Sequence, residues 1–183
     1  MVFKPAPRNR EVAEPMKPIT DPAGWLPEKM TATDEWIYEL SEDEKSELLV
    51  AAETAEKSGL NILDITRENF PLPMLENQLA LLRDELLEGR GLFLLRGLPV
   101  SEMSHKAAAM TFWAMGTRFG RFISQNGKGH MIGHVKDFGG DYSEANVRGY
   151  QTADEMRYHS DQGDSVWLMC MHPAKSGGES LVA

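Results

Sequence analysis

Apolar and polar positions alternate with a helical period over three stretches. Ser41 and Glu44 stand at the spacing of a capping box, and Glu42–Lys57 follows with Leu48, Leu49, Ala52 and Ala55 on one side. Gly59 sits where a left-handed helix cap belongs. A second helix is predicted over Met74–Glu88, with Leu75, Leu79, Leu82 and Leu86 in a stripe and Gly89 ending it. Pro99 and Ser104 open a third, running to about Phe119 with Met110, Trp113, Ala114 and Thr117 inward. Between the second and third lies Gly91-Leu92-Phe93-Leu94-Leu95-Arg96-Gly97, which reads as a short buried strand.

After Gly120 the pattern changes. Glycines become frequent and apolar runs short, which predicts strands near Arg121–Ser124, Met131–Val135, Ser165–Met171 and Glu179–Ala183, with a polar loop over Asp137–Asn146. Helices first and a largely antiparallel sheet afterwards define an α+β chain. Before residue 30, prolines at 5, 7, 15, 18, 22 and 27 disfavour both helix and strand. Residues 1–30 therefore read as an extended arm, able to dock through Trp25 or Trp36, and 31–183 as one domain.

Composition narrows the function. The 183 residues carry a formal charge of −9, which gives little support to nucleic-acid or anionic-membrane binding. A single cysteine, Cys170, excludes an internal disulfide and any multi-cysteine zinc site; its apolar neighbours Met169 and Met171 suggest a buried thiol. No apolar run is long enough for a membrane-spanning helix, and residues 1–27 lack the apolar core of a secretory signal, so the cytoplasm is the default location.

Arg157-Tyr158-His159-Ser160-Asp161-Gln162 carries the chemistry. On a strand, His159 and Asp161 would share a face about 7 Å apart along the chain. An imidazole and a carboxylate so placed can converge on one metal; with a second His they form the facial triad of non-haem Fe(II) oxygenases. The alternative is a surface His beside an Asp that caps a turn. His130 and His134 would lie about 13 Å apart on a strand, too far for one ion, and fit a pocket lining better. His105 falls at a helix start, where solvation is expected. His172 could reach the metal only by swinging inward. Arg148, in a polar loop, could hold an anionic substrate group or make a surface salt bridge.

Beyond Asp161 comes His172-Pro173-Ala174-Lys175-Ser176-Gly177-Gly178-Glu179-Ser180. A His-x-Asp segment, an apolar run and a Pro-x-x-x-Gly-Gly-acid-Ser turn, in this order, resemble the taurine dioxygenase (TauD/TfdA) family. The glycine-bounded Leu92–Arg96 run and Val147-Arg148-Gly149-Tyr150 are similar too, so the resemblance spans about residues 60–183. It implies helices packed on a double-stranded β-helix, or jelly roll, here incomplete. It also implies Fe(II) held by His159 and Asp161, 2-oxoglutarate as cosubstrate hydrogen-bonded by Ser180, and Tyr158 lining the metal pocket. The reaction implied is hydroxylation of a small organic substrate with O2.

The family's second iron-binding His and the Arg that pairs with 2-oxoglutarate lie far downstream of its His-x-Asp. Only His172 and no Arg follow Asp161 here. This pattern fits the N-terminal portion of a longer enzyme, or a degenerate, non-catalytic binding domain of the same ancestry. An unrelated α+β module with a chance His-x-Asp stays open as a third reading. Half a jelly roll would carry open sheet edges, which invite self-association.

Overall fold

The computed structural model describes residues 2–140, 147, 149–153, 159–161 and 163–176. The described chain divides into two compact units, one of residues 1–120 with 168–183 and one of residues 121–167.

In the first unit the elements run α1 (Pro27–Thr31), β1 (Ile37–Glu39), α2 (Glu42–Ser58), α3 (Glu76–Glu88), β2 (Leu94–Arg96) and α4 (His105–Gly116). Helix α2 begins in a complete capping box: the Glu44 amide donates to Ser41 Oγ at 3.3 Å, and the Ser41 amide donates to Glu44 Oε2 at 2.8 Å. Gly59 closes it with φ +74°, a conformation costly to any residue bearing a Cβ. Of the expected apolar side, Leu48, Ala52 and Ala55 are buried, where α2 packs against α4.

Helix α3 starts two residues later than its stripe suggests. No side chain of its own caps it. Instead the Glu47 carboxylate, on α2, accepts from the Met74 amide at 2.8 Å and the Leu75 amide at 3.1 Å. A negative group at a helix N-terminus also suits the helix dipole. Ser104 caps α4 by accepting from the Ala107 amide at 3.0 Å; the helix ends at Gly116.

Leu48, Phe70, Leu72, Leu75, Leu79, Leu82, Ala108 and Met110 form the fully buried centre. Arg118 is buried among them. It donates to Ala114 O at 2.8 Å, Phe70 O at 3.0 Å and Glu76 Oε2 at 2.9 Å, which joins the end of α4 to the start of α3. Arg67 completes the cluster with a second ion pair to Glu76. Burial acts to raise the Glu76 carboxyl, but the hydrogen bonds from Arg118 and Arg67 outweigh it and hold the group below its ordinary value.

The strand expectations need correction. Leu94–Arg96 is a strand and pairs in parallel with β1, Ile37 opposite Leu94 and Glu39 opposite Arg96. It is not buried: Leu94 and Arg96 are exposed. The strands expected at Arg121–Ser124, Met131–Val135 and Ser165–Met171 do not form, and that at Glu179–Ala183 lies outside the described residues. A strand exists only with a ladder partner, and among the described residues these segments have none. Ser165–Cys170 nevertheless keeps a two-residue alternation: Val166, Leu168 and Cys170 are exposed while Trp167 and Met169 are half-buried. Cys170 is thus an exposed thiol, on the solvent side of that alternation rather than in a core. The sheet seen among the described residues has two strands, and an incomplete jelly roll is not visible in it.

The proline-rich stretch from residue 2 to 26 contains no helix or strand. Pro27 opens α1 at the first helical position, where a missing N–H costs nothing. Trp25 Nε1 donates to Arg90 O at 3.0 Å, as a docking residue should, whereas Trp36 Nε1 bonds locally to Thr33 O. Among the described residues no helix is long and apolar enough to cross a membrane.

Candidate metal centre

His159 and Asp161 lie in the second unit, and their side chains converge. His159 Nε2 stands 3.8 Å from Asp161 Oδ1, and each side chain is about half exposed. Two ligands in neighbouring positions of an octahedral ion, with bonds of about 2.1 Å, are about 3 Å apart. Half-exposed side chains close the remaining gap of less than about 1 Å by small χ rotations. An imidazole nitrogen and a carboxylate oxygen are also the donor types that suit a non-haem Fe(II) site with open positions. The pair therefore fits two ligands of such a centre. Among the described residues, no group of three His, Cys, Asp or Glu side chains could hold a metal ion.

The other candidates are distributed as follows. Tyr158, Arg148 and Ser180 lie outside the described residues, as do Gly177 and Gly178. His130 belongs to a closed turn. Asn126 Oδ1 accepts from the Lys128 amide at 3.0 Å and the His130 amide at 3.3 Å, and Asn126 Nδ2 stands 3.1 Å from His130 Nδ1. Gly129, at φ +82°, makes the turn sterically possible. His105 is exposed at the first position of α4, and His172 is set beside it in the same unit, ring centroids 6.3 Å apart.

The model of the taurine catabolism dioxygenase TauD, TfdA family matches residues 55–183, well over half of the chain. The chain belongs to this family. FR-33289 synthase of Streptomyces rubellomurinus is 33% identical over 168 residues, covering 91% of this chain and 50% of its own. Taurine hydroxylase-like protein SAT17 of Stachybotrys chartarum is 26% identical over 172 residues, covering 90% of this chain and 45% of its own. The chain thus spans about half the length of these curated relatives. Membership in the TauD, TfdA family implies a jelly-roll fold and a dioxygenase ancestry.

Sequence reasoning found the His-x-Asp pair and missed two buried charges, Glu85 and Arg118. Glu85 stands three residues after Leu82 in the apolar stripe of α3, so periodicity alone marks it as inward-facing. Arg118 lies inside the helix predicted to about Phe119, four residues after Ala114, so the inward spacing marks it too, although α4 itself ends at Gly116.

Proposed function

We propose that this chain is the N-terminal portion of an Fe(II)- and 2-oxoglutarate-dependent dioxygenase that hydroxylates a small organic substrate. The observation that carries the proposal is the convergence of His159 and Asp161 at 3.8 Å within a TauD, TfdA family sequence. A relative named as a taurine hydroxylase-like protein supports hydroxylation as the reaction type. Residues 31–183 would be the oxygenase part, with residues 1–30 as an arm upon it.

In this reading His159, through Nε2, and Asp161, through its carboxylate, would hold the iron, and a further His of the full-length protein would complete the three. Iron held there would supply the oxidising chemistry with cosubstrate and O2. Asp161 would contribute a negative charge that offsets part of the ion's own. By resemblance to the family, Ser180 would donate a hydrogen bond to 2-oxoglutarate and Tyr158 would line the metal pocket, and Arg148 would pair with an anionic group of the substrate.

The test is succinate formation by the full-length protein, measured with and without added Fe(II) and 2-oxoglutarate in air. Succinate must require both, and Asp161→Ala must abolish it. Equal succinate from the Asp161→Ala variant would refute the assignment. A correctly folded wild type that forms none would favour the non-catalytic binding domain.

A further inference from the structure

We propose that the face of α3 bearing Asp84, Glu85 and Glu88, with Glu35 beside it, is a binding site for a basic, proline-rich segment. The chain's own residues 4–10 are its resident, exchangeable ligand.

The match is one of charge and register. Lys4 Nζ meets Glu35 at 3.3 Å and Arg8 Nη2 meets Asp84 at 2.8 Å, while Arg10, paired more closely with Asp21 at 2.7 Å, also reaches Glu88 at 3.5 Å. These pairs are solvent-exposed, so each adds little alone and is screened by salt. At their centre is a different kind of contact. In Pro5-Ala6-Pro7 only Ala6 has an amide hydrogen, and it donates to Glu85 Oε2 at 2.8 Å. The Glu85 side chain is 1% exposed. Arg90, itself largely buried, donates to Glu85 Oε1 at 2.6 Å and to Lys4 O at 3.0 Å. The segment is therefore read at its backbone by two buried charges and at its side chains by rim carboxylates.

The face is also shaped for the purpose. A Cβ on Gly89 would stand 2.5 Å from Glu85 Oε2, so the glycine leaves room for the carboxylate to turn toward the segment. Pro5, Ala6, Leu81 and Gly89 line a small cleft there. Prolines on both sides of Ala6 hold it extended before it docks, which lowers the entropy lost on binding. The link that follows, residues 11–19, is exposed throughout, so the docked piece is joined to the body by an accessible loop. A segment held by rim ion pairs, by the Lys4 amide donating to Glu35 O at 3.0 Å and by the Ala6 amide on Glu85, outside any strand, has the character of a bound peptide rather than a core strand.

The experiment introduces a specific protease site within residues 12–18 of the full chain and cuts it after folding. A fluorophore at Val2, which is exposed, reports by anisotropy whether the cut arm stays bound or returns on titration. The arm should rebind saturably, and its Kd should rise about tenfold or more between about 0.05 M and about 0.5 M salt. Asp84→Asn should weaken rebinding several-fold at low salt and much less at high salt. A cut arm that never rejoins at any salt would overturn the proposal. So would rebinding that ignores both salt and Asp84→Asn. Amide exchange in the uncut chain gives a second reading that does not depend on cleavage. Ala6 should exchange more slowly than the exposed amides of residues 12–14 and lose that protection as salt rises; exchange at the free-peptide rate, or protection indifferent to salt, would also refute the proposal.

Discussion

Replacing Arg118 by Met tests whether the junction of α3 and α4 is held by charge or by packing. The guanidinium is 3% exposed and makes three hydrogen bonds, to Ala114 O, Phe70 O and Glu76. Hydrogen bonds to a charged group contribute about 1.5–3 kcal/mol each. The full sum overstates the loss for two reasons. Glu76 keeps Arg67 as a partner and is about a third exposed, so water and Arg67 restore much of what its carboxylate loses. Methionine also refills most of the volume of the arginine stem. What is not restored is the pairing of the two carbonyls, and a net loss of about 2–4 kcal/mol follows. The assay is urea unfolding followed by tryptophan fluorescence, with Trp113 buried on α4 as a reporter. The midpoint should fall with little change in slope, and Tm should drop by about 5–15 °C for a chain of this size. Glu76→Gln, which leaves both carbonyls paired, should cost clearly less. A loss below about 0.5 kcal/mol in Arg118→Met, or a larger one in Glu76→Gln, would refute the reasoning.

Three further expectations rest on the same fold. Glu47→Ala removes the acceptor for the Met74 and Leu75 amides, so it should cost about 1 kcal/mol, the size of a lost helix cap, read in the same unfolding assay. Gly89→Ala places a Cβ 2.5 Å from Glu85 Oε2 and 2.8 Å from Glu85 O. Because backbone cannot yield as a side chain does, it should destabilise by about 1–3 kcal/mol, visible as a lower thermal midpoint. The depressed Glu76 carboxyl makes a pH-dependent contribution. It is fully present above the ordinary glutamate range and is lost as pH falls through the lower folded value, so Glu76→Gln should flatten the acid limb of a stability–pH curve.

The helices were legible because their signals are local. Ser41 with Glu44, the terminal Gly59 and the stripe of Leu75, Leu79 and Leu82 each act within a turn or two of the chain and are realised, whereas Leu86, predicted to continue the stripe, is half-buried and Glu85 takes the buried place beside it. The strands were not. A three-residue β1 carries almost no period, and its partner at Leu94–Arg96 lies beyond two intervening helices. The apolar alternation of Ser165–Cys170 is real, but alternation creates a strand only when a ladder partner is present. Glu85 shows the opposite failure. Its spacing marks it as inward-facing, but nothing local in the sequence foretells the Ala6 amide and Arg90 that satisfy a buried charge there. At the candidate site, the proximity of His159 and Asp161 was legible because a spacing of two residues suffices to bring the ring and carboxylate together. The roles of Tyr158, Ser180 and Arg148 rest on resemblance to the TauD, TfdA family.

The most direct test of the central claim is anaerobic equilibrium dialysis of the full-length protein against Fe(II), with His159→Ala and Asp161→Ala in parallel. If these two side chains are ligands, the wild type takes up one iron per chain and each variant binds at least about tenfold more weakly, since even residues that merely orient ligands cost that much. Iron bound equally well by the wild type and both variants would contradict the account.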